Sequence, residues 1–275
     1  MKKKIEYKKY LNLNTKIFIS VAKNPGITGS KFYNSIFQKI KYNGIYIPIK
    51  CLGFIDLKNI LKLKFISGIS VSTPYKKKII KLLDKIDNTA RITRSVNTVI
   101  RVRNKLMGYN TDYYAAKRLI KKTRLNKRHK VLLIGSGAVA RTFYEALKKK
   151  TKFIYLCARN KSKFNKWNLR KTDIVINWVD KTKIKTFLLV NATIVGMKQL
   201  NKKILFSEKN ITNFKWLIDV VNNPNSILQL AAKKKKVKFI GGLEMSFYQA
   251  VKQFNIYTSV KLKEKKIKNI LNYKF

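Results

Sequence analysis

Four consecutive apolar residues, Val131-Leu132-Leu133-Ile134, run straight into Gly135-Ser136-Gly137-Ala138-Val139-Ala140, and residues 141–149 then show helical spacing. An apolar run without polar alternation belongs to a strand covered on both faces, the condition of strands in a parallel sheet. A strand that passes into a helix through Gly-x-Gly-x-x-Ala reads as the turn that receives the pyrophosphate of a dinucleotide. The first glycine permits the tight turn and the second lets the backbone approach the ligand. Ala140 lets helix and strand pack closely. The helix start offers N–H groups and partial positive charge to an anion. Gly135, Ser136, Gly137, Ala138, Val139 and Ala140 are therefore candidate cofactor contacts.

The rest of the chain alternates in the same way. Residues 17–21 read as a strand, Asn24-Pro25-Gly26 as a turn, and Phe32, Ile36, Phe37 and Ile40 as a helix face. A strand at 45–49, a helix over 55–65 and a strand entering Gly68-Ile-Ser-Val-Ser-Thr-Pro-Tyr75 follow. After Asp112 come a helical stretch at 113–123 and further apolar runs at 153–156, 187–190 and 216–220. This predicts an α/β chain with a parallel sheet and crossover helices. A length of 275 residues allows about two domains, and the change of motif puts a boundary near Asp112.

Charge and composition remove other chemistries. Lys and Arg number 63 against 12 acids, a formal charge of +51, yet apolar residues at 45% are interleaved throughout, so the charge does not mark a disordered tail. One histidine, His129, and two cysteines, Cys51 and Cys157, are too few for a His/Cys zinc site or a disulfide framework, and no metal site is expected. A Ser-His-Asp triad would have to use His129, which sits in Lys-Arg-His-Lys ahead of an apolar strand and reads as structural. No apolar run approaches the roughly 20 residues of a membrane span. The start, Met1-Lys-Lys-Lys-Ile-Glu6, lacks an apolar stretch with a cleavage site. The expectation is a soluble, cytoplasmic protein without membrane partners.

About 20 residues past the second glycine, NAD-specific proteins place an acid on the ribose 2′-hydroxyl. Here the run is Cys157-Ala158-Arg159-Asn160-Lys161-Ser162-Lys163, without an acid. Arg159 can stack on adenine or grip a 2′-phosphate with two hydrogen bonds. The cofactor expected is NADP, with Arg159, Asn160 and Lys163 as further contacts.

Six segments in order carry a family pattern. Ser70-Val-Ser-Thr-Pro-Tyr-Lys76 is similar to Asn-Val-Thr-Ile-Pro-(Phe/His)-Lys, Ser95-Val-Asn-Thr98 to Ala-Val-Asn-Thr, and Gly108-Tyr-Asn-Thr-Asp112 to Gly-x-Asn-Thr-Asp. Asn191-Ala-Thr-Ile-Val-Gly-Met197 is similar to Asn-Ala-Thr-x-x-Gly-(Met/Leu), and Asp219-Val-Val-Asn-Asn-Pro224 to Asp-x-x-Tyr-x-Pro. Gly242-Leu-Glu-Met-Ser-Phe-Tyr-Gln249 is similar to Gly-Leu-x-Met-Leu-x-x-Gln. Together they resemble the shikimate dehydrogenase family, which reduces 3-dehydroshikimate with NADPH in chorismate and aromatic amino-acid biosynthesis.

The resemblance implies an N-terminal α/β substrate-binding domain over 1–112, completed by C-terminal helices 246–275, and a Rossmann-type NADP-binding domain over 113–245. The active site would lie in the cleft between them. Ketone reduction by hydride needs a proton donor at the forming alkoxide, and without a usable histidine the donor must be Lys or Tyr. The resemblance places it on Lys76, with Asp112 beside it. Asn97, Asp112 and Gln249 would bond the substrate's ring hydroxyls, with Asn222 on the substrate as well and Thr73 near its carboxylate. Thr193, Gly242 and Met245 would lie along the nicotinamide half of the cofactor, and Val220 would be a further cofactor contact.

Some positions depart from the pattern. The family's Ser-x-Ser carboxylate element is met by Thr28-Gly29-Ser30, one residue short, and anchoring on Asn34 instead places Ile27 and Gly29 there. Asn222 stands for a tyrosine, Ser70 for an asparagine, and Glu244 for a frequent glycine, where it would disfavour anions unless it points away. Three other readings stay open: a quinate/shikimate enzyme of relaxed specificity, a folded member without activity, and, from another class, a basic nucleic-acid-binding protein. Against the last, the basic residues are diffuse and no nucleic-acid motif is present, so no specific nucleic-acid partner is expected. A homodimer is allowed for.

Overall fold

The computed structural model describes residues 12–197 and 204–273, so the reading of Met1 to Glu6 lies outside the described residues. By internal contacts the chain divides into two units, one through Thr111 and again from Ala250, the other Asp112–Gln249.

The first unit contains β1 (Lys16–Ala22), α1 (Thr28–Lys39), β2 (Gly44–Lys50), α2 (Phe54–Lys62), β3 (Ile66–Val71), α3 (Tyr75–Lys78), β4 (Lys85–Ile86), α4 (Asn88–Thr93), β5 (Thr98–Val102) and β6 (Lys105–Tyr109). Its sheet has the order β2-β1-β3-β5-β6-β4. β1 pairs in parallel with β2 and β3, whereas β5 runs antiparallel to β3 and β6, so this sheet is mixed. The β5–β6 hairpin closes through Arg103 (φ 46°) and Asn104 (φ 62°), both left-handed, as a two-residue turn between twisted strands requires. Buried Tyr33, Ile36 and Phe37 form one face of α1, and Leu57 and Leu61 one face of α2. Ile19, Val21, Leu57, Ile69, Val71 and Val99 meet in the core.

The second unit opens on α5 (Thr111–Lys122, its first residue still in the other unit), followed by β7 (Lys130–Ile134), α6 (Ala138–Leu147), β8 (Phe153–Cys157), β9 (Ile174–Ile176), β10 (Thr186–Asn191), α7 (Glu208–Ile211), β11 (Phe214–Asp219), α8 (Ile227–Lys234) and β12 (Lys238–Ile240). Every pairing in its sheet is parallel, in the order β12-β11-β10-β7-β8-β9. Val131, Leu132, Leu133 and Ile134 are fully buried at the sheet's centre, each adding about 1.5–3 kcal/mol of transfer free energy. Strand order reverses between β7 and β10, the point at which open sheets of this kind bind ligands beyond the strands' C-terminal ends.

α9 (Gly242–Thr258) begins in the second unit and ends in the first, and α10 (Glu264–Leu271) packs on α1. Tyr257 of α9 stacks on Phe18 at 4.9 Å, and a Cβ on Gly68 would meet its ring at 2.7 Å, which is why β3 carries a glycine there. Among the described residues no helix is long and apolar enough to cross a membrane. His129 stacks on Phe187 with ring centroids 3.6 Å apart, and burial and Lys215 hold its imidazole below the usual range.

Candidate functional site

The glycine turn sits at the strand-order reversal. Gly135 has φ +118°, and a Cβ on it would lie 2.6 Å from the Ala192 carbonyl oxygen, so no other residue fits. Its N–H donates to the Cys157 carbonyl at 2.8 Å. Gly137 caps α6 without a side-chain hydrogen bond and is exposed, and a Cβ added there would meet no atom within 4 Å. Open space above unfilled helix N–H groups is what a pyrophosphate needs. Ala140 is fully buried, while Ser136, Ala138 and Val139 are half-buried beside the turn.

Arg159, Asn160 and Lys163 are exposed beyond β8. The Asn160 side-chain carbonyl oxygen accepts from Ser162 N–H and Oγ at 3.1 and 2.6 Å and so caps the turn Lys161–Lys166. Beyond β10 and β11, Thr193 and Val220 are half-buried. Gly242 starts α9 against the Val220 carbonyl oxygen, 2.5 Å from where a Cβ would sit, and Met245 is buried one turn on. Glu244 is also buried, and it pairs with Lys122 at the end of α5, which neutralises the charge that would repel an anion. These residues fit a dinucleotide: Gly135 and Gly242 are dictated by close approach, Gly137 stands in open space, and Glu244, the acid among them, is paired.

In the first unit the motif segments meet through main-chain bonds. Val96 N–H donates to the Lys76 carbonyl at 2.8 Å, Val71 N–H to that of Asn97 at 2.8 Å, and Asn97 N–H to that of Tyr109 at 3.0 Å. The Asn97 side chain holds Thr111, Nδ2 donating to Oγ1 at 2.9 Å and Oδ1 accepting from the N–H at 2.8 Å and from Oγ1 at 3.2 Å, and Asp112 follows directly. Asn97 and Asp112 are buried; Lys76 and Gln249 are half-buried.

Behind Asn97 lies a network that sequence reasoning missed. Gln253 Nε2 donates to the Asn97 carbonyl at 3.1 Å and to Thr98 Oγ1 at 2.6 Å, while its Oε1 accepts from Tyr33 at 2.5 Å and Ser70 at 2.8 Å. The Tyr46 and Tyr257 hydroxyls reach Ser70 Oγ at 2.6 and 2.8 Å, so the departure at Ser70 is absorbed by tyrosines. Burial lifts the Tyr46 hydroxyl to about 12 and keeps it protonated as a donor.

The other candidates stand apart from this network. Thr28 opens α1 in an exposed position, and Ser30 Oγ donates to the Ile27 carbonyl at 2.9 Å. Gly29 packs on the Tyr46 ring. Thr73 and Ser72 are both exposed after β3, with Ser72 at the motif's threonine position and Thr73 at its isoleucine position. Asn222 is exposed in the second unit. No group of three or more metal-ligating side chains occurs among the described residues.

A parallel sheet of this order with a glycine turn at its reversal defines a dinucleotide-binding enzyme fold. Residues 27–99 match the family model of the shikimate dehydrogenase substrate-binding domain. The chain is 31% identical over 261 residues to the shikimate dehydrogenase (NADP(+)) of Clostridium perfringens strain 13, covering 91% of this chain and 89% of that one. It is also 31% identical to a shikimate dehydrogenase-like protein of Haemophilus influenzae, over 90% and 92% of the two chains. Among solved structures, a chorismate mutase/shikimate 5-dehydrogenase fusion protein from Clostridium acetobutylicum superposes with a TM-score of 0.86 at 26% identity, over 94% of this chain and 97% of that chain. The chain belongs to the shikimate dehydrogenase family.

Proposed function

We propose that the chain reduces 3-dehydroshikimate to shikimate with NADPH, a step of chorismate and aromatic amino-acid biosynthesis. The observation that carries this reading is the hydrogen-bonded junction that ties the Lys76, Asn97 and Thr111 segments together in the first unit, with Asp112 next in the chain. The named activity of the C. perfringens relative supports the substrate and the cofactor. The bound dinucleotide supplies the hydride. Lys76 and Asp112 hold the proton delivered to the carbonyl oxygen, a contribution of typically about 10²–10⁴-fold. Asn97 and Gln249 select ring hydroxyls, since amides left unpaired by a poorer substrate penalise it. Thr28, Ser30, Thr73 and Asn222 serve the rest of the substrate. The glycine turn, Arg159, Asn160 and Lys163 hold the phosphates.

One observation favours relaxed specificity as a second reading. Ser30 Oγ commits its proton to the Ile27 carbonyl at 2.9 Å, which leaves the carboxylate element of the pattern one donor short.

The test is NADPH oxidation by the purified protein on addition of 3-dehydroshikimate, at salt high enough to suppress adhesion to the basic surface. Turnover supports the reading, and quinate oxidation at a comparable rate selects the relaxed form. A folded protein that binds NADPH without turnover sinks it. Nucleic-acid binding that is sequence-selective and survives that salt favours the other class.

A further inference from the structure

Asp219, at the end of β11, is 1% exposed, and the proposed reaction gives it no task. Its donors are all neutral: Asn191 Nδ2 at 2.9 Å and Val221 N–H at 3.1 Å on Oδ1, and Ser226 Oγ at 3.3 Å on Oδ2. Burying a carboxylate without a cation is costly, and burial lifts this one to about 6 against those three bonds. What an acid ensures at that cost is polarity. An ionised carboxylate only accepts, so it holds Asn191 with Nδ2 toward Asp219 and Oδ1 away from it, an orientation that the Val195 carbonyl, 3.3 Å from Nδ2, also favours.

Asn191 Oδ1 then receives Thr193 N–H at 3.0 Å and Thr193 Oγ1 at 2.7 Å. A threonine hydroxyl has one proton, and Asn191 takes it. Thr193 Oγ1 accepts Val195 N–H at 3.1 Å and keeps a lone pair, so toward a ligand it can only accept. The segment is fixed on its other sides as well, by Val220 N–H on the Asn191 carbonyl at 3.0 Å and by Ala192 N–H on that of Ile134 at 2.8 Å.

We propose that Asp219 is a positioning residue that sets, through Asn191, the Thr193 hydroxyl as the hydrogen-bond acceptor for the carboxamide N–H of the cofactor's nicotinamide. The inference rests on the reading that NADPH binds with its nicotinamide along Thr193.

Binding is measured on the full chain with two probes: NADPH, and adenosine 2′,5′-bisphosphate, which has the adenine and 2′-phosphate but no nicotinamide. Asp219→Ala and Thr193→Val should each weaken NADPH about tenfold, the size of one lost hydrogen bond in a dry site, with the bisphosphate within about twofold of wild type. Asp219→Asn should restore most of the NADPH affinity, because its oxygen can still face Asn191 and Val221. The 3-acetylpyridine analogue of NADPH, which lacks the carboxamide donor, should bind wild type and Thr193→Val alike. Asp219→Ala weakening both probes equally, or Thr193→Val leaving NADPH affinity unchanged, overturns the proposal. Thr193→Val keeps the side-chain volume, so unchanged NADPH affinity in it overturns the proposal even where Asp219→Ala fails to fold. Wild type that binds the bisphosphate but not NADPH overturns the cofactor reading and this relay together, and is recognised before any variant is made.

Discussion

Around Gly135 the groups offered to a ligand are main-chain N–H groups, and the residues beside them are chosen for what they lack: no Cβ at Gly135, open space at Gly137, a methyl at Ala140. Around Asn97 the groups proposed to meet a ligand are side chains, and they are held by other side chains, Asn97 by Thr111, and Thr98 by Gln253. A backbone site tolerates few residues and so leaves a short motif. A side-chain site can be supported in several ways, which is how Ser70 stands where an asparagine is usual while Tyr46 and Tyr257 make up the bonding.

The largest effect should come from the side-chain half. Lys76→Ala should lower kcat by about 10²–10⁴-fold with little change in KM, read from steady-state kinetics. Near-normal kcat in this variant would remove Lys76 from proton delivery and leave the first unit as a binding surface.

The backbone half separates into two glycines with different reasons to exist. Gly135→Ala combines a left-handed φ with a clash against the Ala192 carbonyl, at a cost of about 1–3 kcal/mol or more, so its Tm should fall. Gly137→Ala meets no atom; its Tm should stay near wild type while KM for NADPH rises. Equal Tm for both variants would contradict the geometry of the turn.

The same contrast governs what is legible in the sequence. β7 is readable because burial on both faces demands an unbroken apolar run, and the helix after the glycine turn is readable from its period. β9 and β12 escape such a reading because each has three residues, and the β9 residues Ile174 and Val175 stay exposed at the sheet edge. The β5–β6 hairpin is hidden because Arg103-Asn104 adopts its turn without a glycine to announce it. In the site, family motifs mark Lys76, Asn97 and Asp112. Gln253 carries no signal, since its partner Asn97 lies 156 residues away in the chain. Glu244 looks adverse to an anion until the fold brings Lys122 to it.

Arg159 tests how far the cofactor half depends on a side chain at all. Arg159→Ala should raise KM for NADPH about tenfold, the value of a charge-assisted bond to phosphate, and change KM for NADH far less. Equal effects on the two cofactors would mean that Arg159 stacks on adenine and that the 2′-phosphate is held elsewhere.

The smallest effect is expected at Ser95, two residues before Asn97. Its hydroxyl is buried, with the residue 1% exposed, and has no hydrogen-bond partner. The family pattern has alanine at this position. Removing an unsatisfied buried hydroxyl avoids its desolvation penalty and leaves too small a space to matter, so Ser95→Ala should stabilise the chain by about 1 kcal/mol, a rise of about 2–4 °C in Tm by calorimetry. A loss of stability would mean that the hydroxyl is bonded in solution. Unchanged or higher stability with a raised KM for the substrate would have another meaning: the hydroxyl finds its partner when the substrate arrives. The Ser95-Val-Asn-Thr98 segment would then adjust on binding, in contrast to the glycine turn, where the Ala192 carbonyl dictates the residue at Gly135.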